Sequence, residues 1–169
     1  MSDNIVLIGM PGAGKSTVGV VLAKKLGMQF VDSDLLIQDK ESRLLHTIIE
    51  EDGLSGFLKI EEEVNANLMY EKAVIATGGS AVYSKKAMEH LAGIGTVVYL
   101  KLSYDNIVER LGDLQERGVA MQNGQTLKAL YDERVPLYEK YADVIIMCDN
   151  KMIREIVADI VSKRKIPGK

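Results

Sequence analysis

The sequence predicts an α/β fold in which helices cover both faces of a five-stranded, mostly parallel sheet. Five short apolar runs alternate with longer segments of helical period, which is the pattern of a layered α/β domain. The runs are almost continuously apolar, as expected for strands buried on both faces. The 169 residues are about the size of one domain, and no internal repeat or linker divides them. We therefore expect a single domain over residues 1–169.

Turns and helical segments bound each predicted strand. Helical period is clear in STVGVVLAKKLG after the first strand and in DNIVERLG after the fourth. Gly27 should end the first of these helices, because glycine is favoured at a helix C-terminus. The predicted strands are NIVLIG (4–9), QFVD (29–32), AVIAT (73–77), TVVYLKL (96–102) and DVIIM (143–147).

Two segments interrupt this alternation. Residues 34–70 carry helical patterns without a strand and are too long for a simple crossover, so we interpret them as an insertion. Residues 112–125, GDLQERGVAMQNGQ, are polar, contain glycine and show no period, which predicts a mobile loop.

Composition and charge argue against several classes of protein. With 21 Lys and Arg against 24 Asp and Glu, the net charge is −3, and a basic surface for nucleic acid is not indicated. The opening MSDNIVLIGMPG lacks the basic segment and the long apolar run of a signal peptide or membrane span. The only cysteine, Cys148, cannot form an intrachain disulfide, which fits a reducing compartment. We expect a cytoplasmic monomer without nucleic-acid or membrane partners.

A phosphate-binding loop follows the first predicted strand. GMPGAGKST (9–17) satisfies G-x-x-x-x-G-K-[ST] and opens a predicted helix, which is the context that this motif requires. Backbone N–H groups of such a loop bind phosphate oxygens, Lys15 reaches the β and γ phosphates, and Ser16 can bind Mg²⁺. The sequence therefore predicts binding of a nucleoside triphosphate with Mg²⁺, through Gly12, Ala13, Gly14, Lys15, Ser16 and Thr17.

A nucleotide loop alone does not separate an enzyme from a regulatory switch. Guanine-specific switches read their base with N-K-x-D after a late strand, and here NKMI (150–153) places Ile153 where the aspartate would stand. An apolar side chain cannot accept hydrogen bonds from guanine, so the sequence disfavours a GTPase switch.

Carboxylates and glycines follow the next two strands. Asp32 and Asp34 end the second strand, where two carboxylates could hold Mg²⁺ through water and could orient or deprotonate an acceptor hydroxyl. Alternatively, Asp34 only caps the helix that follows. Gly78 and Gly79 follow the third strand, where bare backbone could approach a ligand or simply form a turn.

Taken together, these motifs resemble the shikimate kinase family over nearly the whole chain. The matching features are GMPGAGKSTVG, DSD, a D-G-x-x-x-F pattern followed by Glu61, TGG, and the most specific one, ERVPLYEKYAD (133–143). The resemblance implies a P-loop kinase fold in which 34–70 binds substrate and 112–125 forms a lid. It also implies transfer of the γ-phosphoryl of ATP to a hydroxyl of a polyhydroxylated acid, with shikimate as the first candidate.

The resemblance also implies individual roles. Asp34 would bind the acceptor hydroxyls and act as the base, Asp32 would serve the magnesium, and Arg134 would bind the acceptor carboxylate. Arg117 would close over the phosphates from the lid, and Arg110 would lie against adenine. The residues expected at the substrate are Asp34, Phe57, Leu58, Gly78, Gly79 and Arg134.

Three positions depart from the family pattern. Ser80 replaces the third glycine after the third strand, RGVA replaces R-P-L-L in the lid, and Leu58 replaces an arginine that would share the acceptor carboxylate with Arg134. Lys59 cannot substitute for that arginine, because the next residue on a helix is rotated by about 100°. Losing one charge-assisted hydrogen bond, worth about 1.5–3 kcal/mol, would weaken binding of such an acceptor by tenfold or more.

Several alternatives therefore stay open. The chain could act on a different hydroxylated metabolite, or it could be a nucleotide-binding regulator without turnover. Arg110 and Arg117 could be solvated surface residues. Arg134 could pair with a neighbouring acid such as Glu133 or Asp132.

Overall fold

A computed structural model of the chain describes residues 3–111 and 119–164. In these residues, five parallel strands form one sheet in the order β2-β3-β1-β4-β5, which confirms the predicted fold class. Each predicted strand is present, with its bounds within one residue of the prediction. The strands are β1 (Asn4–Ile8), β2 (Gln29–Asp32), β3 (Ala73–Ala76), β4 (Gly95–Lys101) and β5 (Val144–Met147).

Helices connect the strands and cover the sheet. Helix α1 ends at Gly27, which has a left-handed φ of 65°, as its position in the sequence predicts. No helix among the described residues is long and apolar enough to cross a membrane. The helices are α1 (Lys15–Leu26), α2 (Ser33–Glu41), α3 (Leu45–Ala66), α4 (Lys85–Ile94), α5 (Tyr104–Arg110), α6 (Leu127–Tyr141) and α7 (Ile153–Arg164), with a 3₁₀ turn at Ala81–Tyr83.

The core is centred on β1, whose five residues are all buried. β1 pairs with β3 on one side and with β4 on the other, and all three strands are rich in branched apolar side chains. The connections after β1 and β3 run toward opposite edges of the sheet. A crevice therefore opens at the carboxyl ends of these two strands, where open α/β sheets bind ligands.

The strand-free segment predicted over 34–70 consists mainly of α2 and α3. Helix α3 is kinked at Gly53, and Arg43 braces the start of the segment through ion pairs with Glu41 and Asp52. A second, smaller core (Ile37, Ile48, Phe57 and Ala120) joins these helices to Ala120, which belongs to the described part of the predicted lid. Of the predicted lid, residues 112–118 lie outside the described residues, and Arg117 is among them.

Candidate active site

The nucleotide loop joins the end of β1 to the start of α1. Gly14 precedes the first residue of α1 with φ 89°, a conformation that side chains rarely adopt, so glycine is required there. The first turn of α1 consequently points its free N–H groups toward the crevice. Ala13 is buried and does not line the cavity beside the loop, whereas Gly12, Gly14, Lys15, Ser16 and Thr17 do.

Lys15 lies folded over its own loop. Its Nζ donates hydrogen bonds to the carbonyl oxygens of Gly9, at 2.7 Å, and Met10, at 2.8 Å. Burial lowers the pKa of this ammonium to about 8, while the Asp34 carboxylate opposes that shift. The ammonium is therefore held by main-chain oxygens at the wall of the cavity, where an anionic ligand would gain most from its charge.

Ser16 and Asp32 form a pair of hard oxygen donors below the loop. The Ser16 hydroxyl donates to Asp32 Oδ2 at 2.9 Å, and Asp32 Oδ1 accepts from the backbone N–H of Asp34 at 2.9 Å. Asp32 is thus the N-cap of α2, so the interpretation of Asp34 as the cap is wrong. The donor set fits Mg²⁺, which takes few protein ligands and completes its shell with phosphate and water. In residues 3–111 and 119–164 there is no cluster of three or more His, Cys, Asp or Glu suited to a metal.

A cavity of about 330 Å³ extends from the nucleotide loop to α6. It brings together residues that are far apart in the sequence, from the loop after β1, the helices of the insertion, the turn after β3 and the chain preceding α6. Besides the loop, its lining includes Asp34, Phe57, Glu61, Gly78, Gly79, Ser80, Ala120 and Arg134. Arg110 lies outside this lining but beside the loop, because its Nη1 reaches the carbonyl oxygens of Gly12 and Ala13, both at 3.4 Å.

Asp34 lies in the cavity wall. Burial raises the pKa of its carboxyl group to about 6, and the neighbouring Asp32 carboxylate adds to this shift. A carboxyl group whose pKa lies close to neutrality is well suited to accept a proton from a hydroxyl.

The two glycines after β3 allow side chains to approach the backbone closely. A Cβ on Gly78 would lie 2.6 Å from Asp34 Oδ1 and 2.8 Å from Glu61 Oε2. A Cβ on Gly79 would lie 2.8 Å from Pro11 Cδ and 2.9 Å from Arg134 Nη1. Any larger residue would displace the two carboxylates or the guanidinium, so these glycines shape the cavity and do more than form a turn.

Arg134 is fully buried and lines the same cavity. Its Nε donates to the Tyr83 hydroxyl at 3.1 Å and its Nη2 donates to the carbonyl oxygen of Ala120. It does not pair with the neighbouring acids: Glu133 accepts from Tyr83 at 2.7 Å and Asp132 pairs with Lys128 at 3.0 Å. The suggested pairing of Arg134 with Glu133 or Asp132 is therefore wrong.

Glu61 faces the cavity itself, which the sequence did not indicate. Its Oε1 accepts a hydrogen bond from the Ser80 hydroxyl at 2.7 Å, and its Oε2 is buried without a partner among the described residues. Burial raises the pKa of this carboxyl group to about 7. Ser80, which stands where the family pattern has a glycine, is thus a hydrogen-bond partner of Glu61.

Leu58 does not line the cavity. Its side chain is half-buried against the smaller core and borders a separate surface groove with Glu62, Tyr83 and Ser84. Lys59 is exposed, as its rotation on the helix predicts. The expectation that Leu58 faces a substrate is therefore not met by the lining of the cavity, although Glu61 and Ser80 border both the groove and the cavity.

Tyr83 and Ala120 were missed from the sequence altogether. They support Arg134 from the turn after β3 and from the chain before α6, at sequence separations of 51 and 14 residues. No local pattern marks such contacts, because they depend on how separate elements pack.

A nucleotide loop with a buried lysine, a carboxylate pair and a distal arginine around one cavity define the chain as a P-loop small-molecule kinase. The family model for shikimate kinase matches residues 11–165. The chain belongs to the shikimate kinase family.

Individual relatives agree over nearly the full length. A shikimate kinase from Sulfurihydrogenibium sp. (strain YO3AOP1) is 37% identical over 163 residues, which cover 96% of this chain and 98% of that protein. A solved shikimate kinase from Acinetobacter baumannii in complex with shikimate superposes with a TM-score of 0.90 at 34% identity, covering 99% of this chain and 95% of that one. The shikimate kinase from Aquifex aeolicus gives a TM-score of 0.80 at 30% identity, with 98% of each chain covered.

Proposed function

We propose that this protein transfers the γ-phosphoryl group of ATP to a hydroxyl of a small carboxylated acceptor, with shikimate to shikimate 3-phosphate as the first reaction to test. The single observation that carries the proposal is the shared cavity, which is lined both by the nucleotide loop and by the fully buried Arg134. Asp34 lines the same cavity, where it can meet the hydroxyl of an acceptor bound to Arg134. The names of the relatives support shikimate as that acceptor.

The transfer itself relies on positioning and charge. The loop N–H groups and Lys15 bind the β and γ phosphates and stabilise the charge on the transferred group. Asp34 orients the acceptor hydroxyl and accepts its proton as the new O–P bond forms and the bond from the γ-phosphorus to the bridging oxygen breaks, which releases ADP. Ser16 and Asp32 would hold Mg²⁺, which would supply positive charge to neutralise the phosphates.

Each of the three arginines has its own proposed role. Arg134 presents its Nη1 edge to the acceptor carboxylate, while Tyr83 and Ala120 hold the rest of its guanidinium in place. For Arg110, beside the loop, we propose stacking on adenine, and for Arg117, which lies outside the described residues, contact with the phosphates. We further propose that the protein works as a cytoplasmic monomer on small molecules alone.

Acceptor-dependent release of ADP tests this function. The purified protein is supplied with ATP and Mg²⁺ and with each of a panel of hydroxy acids in turn, including shikimate. ADP release that requires one of these acceptors supports the proposal. ATP binding without acceptor-dependent ADP release would instead identify a nucleotide-binding regulator.

A second candidate is a kinase of this family with a different hydroxylated acceptor. Leu58 favours it, because an apolar side chain stands at the position where the family pattern has a carboxylate-binding arginine, and Glu61 lines the cavity without that partner. The same panel separates the two candidates, because the preferred acceptor is the one with the highest kcat/KM.

A further inference from the structure

One buried carboxylate oxygen of a cavity-lining residue has no hydrogen-bond partner among the residues that the structure describes. Glu61 Oε2 is buried and makes no hydrogen bond within residues 3–111 and 119–164, although Glu61 is only 2% exposed. The same side chain lines the cavity, as the nucleotide loop and Arg134 do. Buried carboxylate oxygens are nearly always hydrogen-bonded, so this atom calls for a donor that comes from outside the described protein atoms.

The position of Glu61 is fixed on its other side. Ser80 donates to Oε1 at 2.7 Å from the turn after β3, and this bond keeps the carboxylate in the cavity wall. Its Oε2 and Asp34 Oδ1 both approach the Cα of Gly78, since a Cβ there would lie within 2.8 Å of either oxygen. Glu61 Oε2 is thus beside the carboxylate assigned to the reacting hydroxyl.

Lys15 and Arg134 act on the Glu61 carboxylate through their charge, but within the described residues neither donates a hydrogen bond to it. In the described residues, neither Glu61 nor Asp34 takes part in an ion pair, and Leu58, one turn before Glu61, contributes only apolar contact. Two of the guanidinium nitrogens of Arg134 donate hydrogen bonds to Tyr83 and Ala120. A ligand in the cavity can supply the donor that Glu61 Oε2 lacks among the described residues.

We propose that Glu61, held by Ser80, contacts the acceptor directly and selects acceptors that carry a hydrogen-bond donor, a hydroxyl or an ammonium group, next to the hydroxyl that is phosphorylated. The inference rests on the proposed function, since it concerns the acceptor of the same reaction. Glu61 then determines specificity by touching the substrate, and Ser80 is a positioning residue that acts through Glu61.

The chain offers a matched control on the same helix. Glu62 accepts a hydrogen bond from Ser84, as Glu61 does from Ser80, but neither Glu62 nor Ser84 lines the cavity. The substitutions Glu61→Gln and Glu62→Gln therefore remove the same charge from adjacent positions. Only the first removes it from the cavity wall.

Two-substrate kinetics with the full chain test the proposal. Glu61→Gln should raise the acceptor KM by about tenfold, because the amide places a donor or a weaker acceptor opposite the substrate donor, while the ATP KM changes by less than about twofold. Ser80→Ala should raise the acceptor KM in the same direction by a smaller factor. Glu62→Gln should leave both KM values unchanged.

Two acceptor sets identify the donor. If shikimate is turned over and loses kcat/KM in Glu61→Gln, the donor is a hydroxyl. If hydroxylated α-amino acids are preferred over their deaminated counterparts and Glu61→Gln abolishes that preference, the donor is an ammonium group. Either result supports the direct contact.

Other outcomes overturn it and separate it from the proposed function. An acceptor KM in Glu61→Gln equal to that of the wild type, or equal increases in the acceptor and ATP KM values, would refute the contact while the kinase reaction stands. Absence of acceptor-dependent ADP release in the wild type would refute the proposed function and the contact together. Thermal unfolding of each variant shows whether a change in KM reflects loss of the fold.

Discussion

The two ends of the cavity are built in different ways. The nucleotide end is a continuous segment after β1 whose main-chain groups and one buried lysine face the cavity. The acceptor end is assembled from side chains of the insertion, the turn after β3 and α6, which are far apart in the sequence. The phosphate-binding groups of the loop all belong to one short segment, whereas the acceptor-binding side chains belong to separate segments and can be substituted independently. Substitutions should therefore separate into two kinetic classes.

The largest effect is expected at the nucleotide end. Lys15→Met should lower kcat by a hundredfold or more, because such an electrostatic contact to the transferred group typically contributes about a hundredfold to a thousandfold. The fold should be retained, since the ammonium contacts only carbonyl oxygens of its own loop. Steady-state rates and circular dichroism check both points, and more than about a tenth of the wild-type activity would contradict the role.

A large effect confined to one substrate is expected at the other end. Arg134→Ala should raise the acceptor KM by tenfold to a hundredfold or more with little change in the ATP KM, because a charge-assisted hydrogen bond is worth about 1.5–3 kcal/mol. Arg134→Lys should recover only part of this loss, since an ammonium lacks the planar face of guanidinium. Equal increases in the acceptor KM and the ATP KM would show that Arg134 supports the lid or the fold and does not bind the acceptor specifically.

An increase in kcat/KM for an anionic acceptor is expected from restoring a cation near Glu61. Leu58 and Glu61 border the same groove, so the guanidinium in Leu58→Arg can reach the Glu61 carboxylate. If Glu61 then pairs with that cation, kcat/KM for an anionic hydroxy acid such as shikimate should rise by about tenfold. The kcat/KM for an acceptor that carries an ammonium group should fall by a similar factor. Leu58→Met serves as the uncharged control. Identical kinetics in Leu58→Arg and Leu58→Met would show that a cation at position 58 does not affect acceptor binding.

The smallest effect is a pH dependence of stability. The folded pKa of Glu61, about 7, lies above its usual value of 4.5, so the folded protein binds more protons between these pH values and loses stability as pH rises through them. The facing groups Asp34, Arg134 and Lys15 remain in place in Glu61→Gln.

Since one pKa unit corresponds to about 1.4 kcal/mol, Glu61→Gln should gain up to a few kcal/mol in unfolding free energy relative to the wild type between pH 5 and about pH 8. Urea denaturation at a series of pH values measures this difference. A difference that does not vary with pH would mean that the carboxyl group titrates in its ordinary range.

Local features of this molecule could be predicted from the sequence, and tertiary contacts could not. The strands, the nucleotide loop and Gly27 depend on periodicity and backbone conformation, which short segments specify by themselves. Asp32 and Asp34 were both expected at the edge of the sheet, but which of them caps α2 depends on a difference of two residues in where the helix begins. Patterns are least reliable at such boundaries.

The acceptor end shows why the rest could not be predicted. Leu58 was expected in the cavity because the family pattern places an arginine there, but a short apolar side chain packs on the smaller core instead of extending toward a ligand. Ser80 was recognised only as a missing glycine, because its bond to Glu61 requires the turn after β3 to lie against α3. The support of Arg134 by Tyr83 and Ala120 likewise exists only after packing.

The claim that one cavity joins ATP to an acceptor hydroxyl is tested most directly by phosphorus NMR of the complete reaction. With shikimate or the preferred member of the acceptor panel, the account predicts one new phosphomonoester signal for each ADP formed, and neither product in Lys15→Met. Inorganic phosphate as the main product, or ATP that remains intact with every acceptor while still binding to the protein, would contradict it.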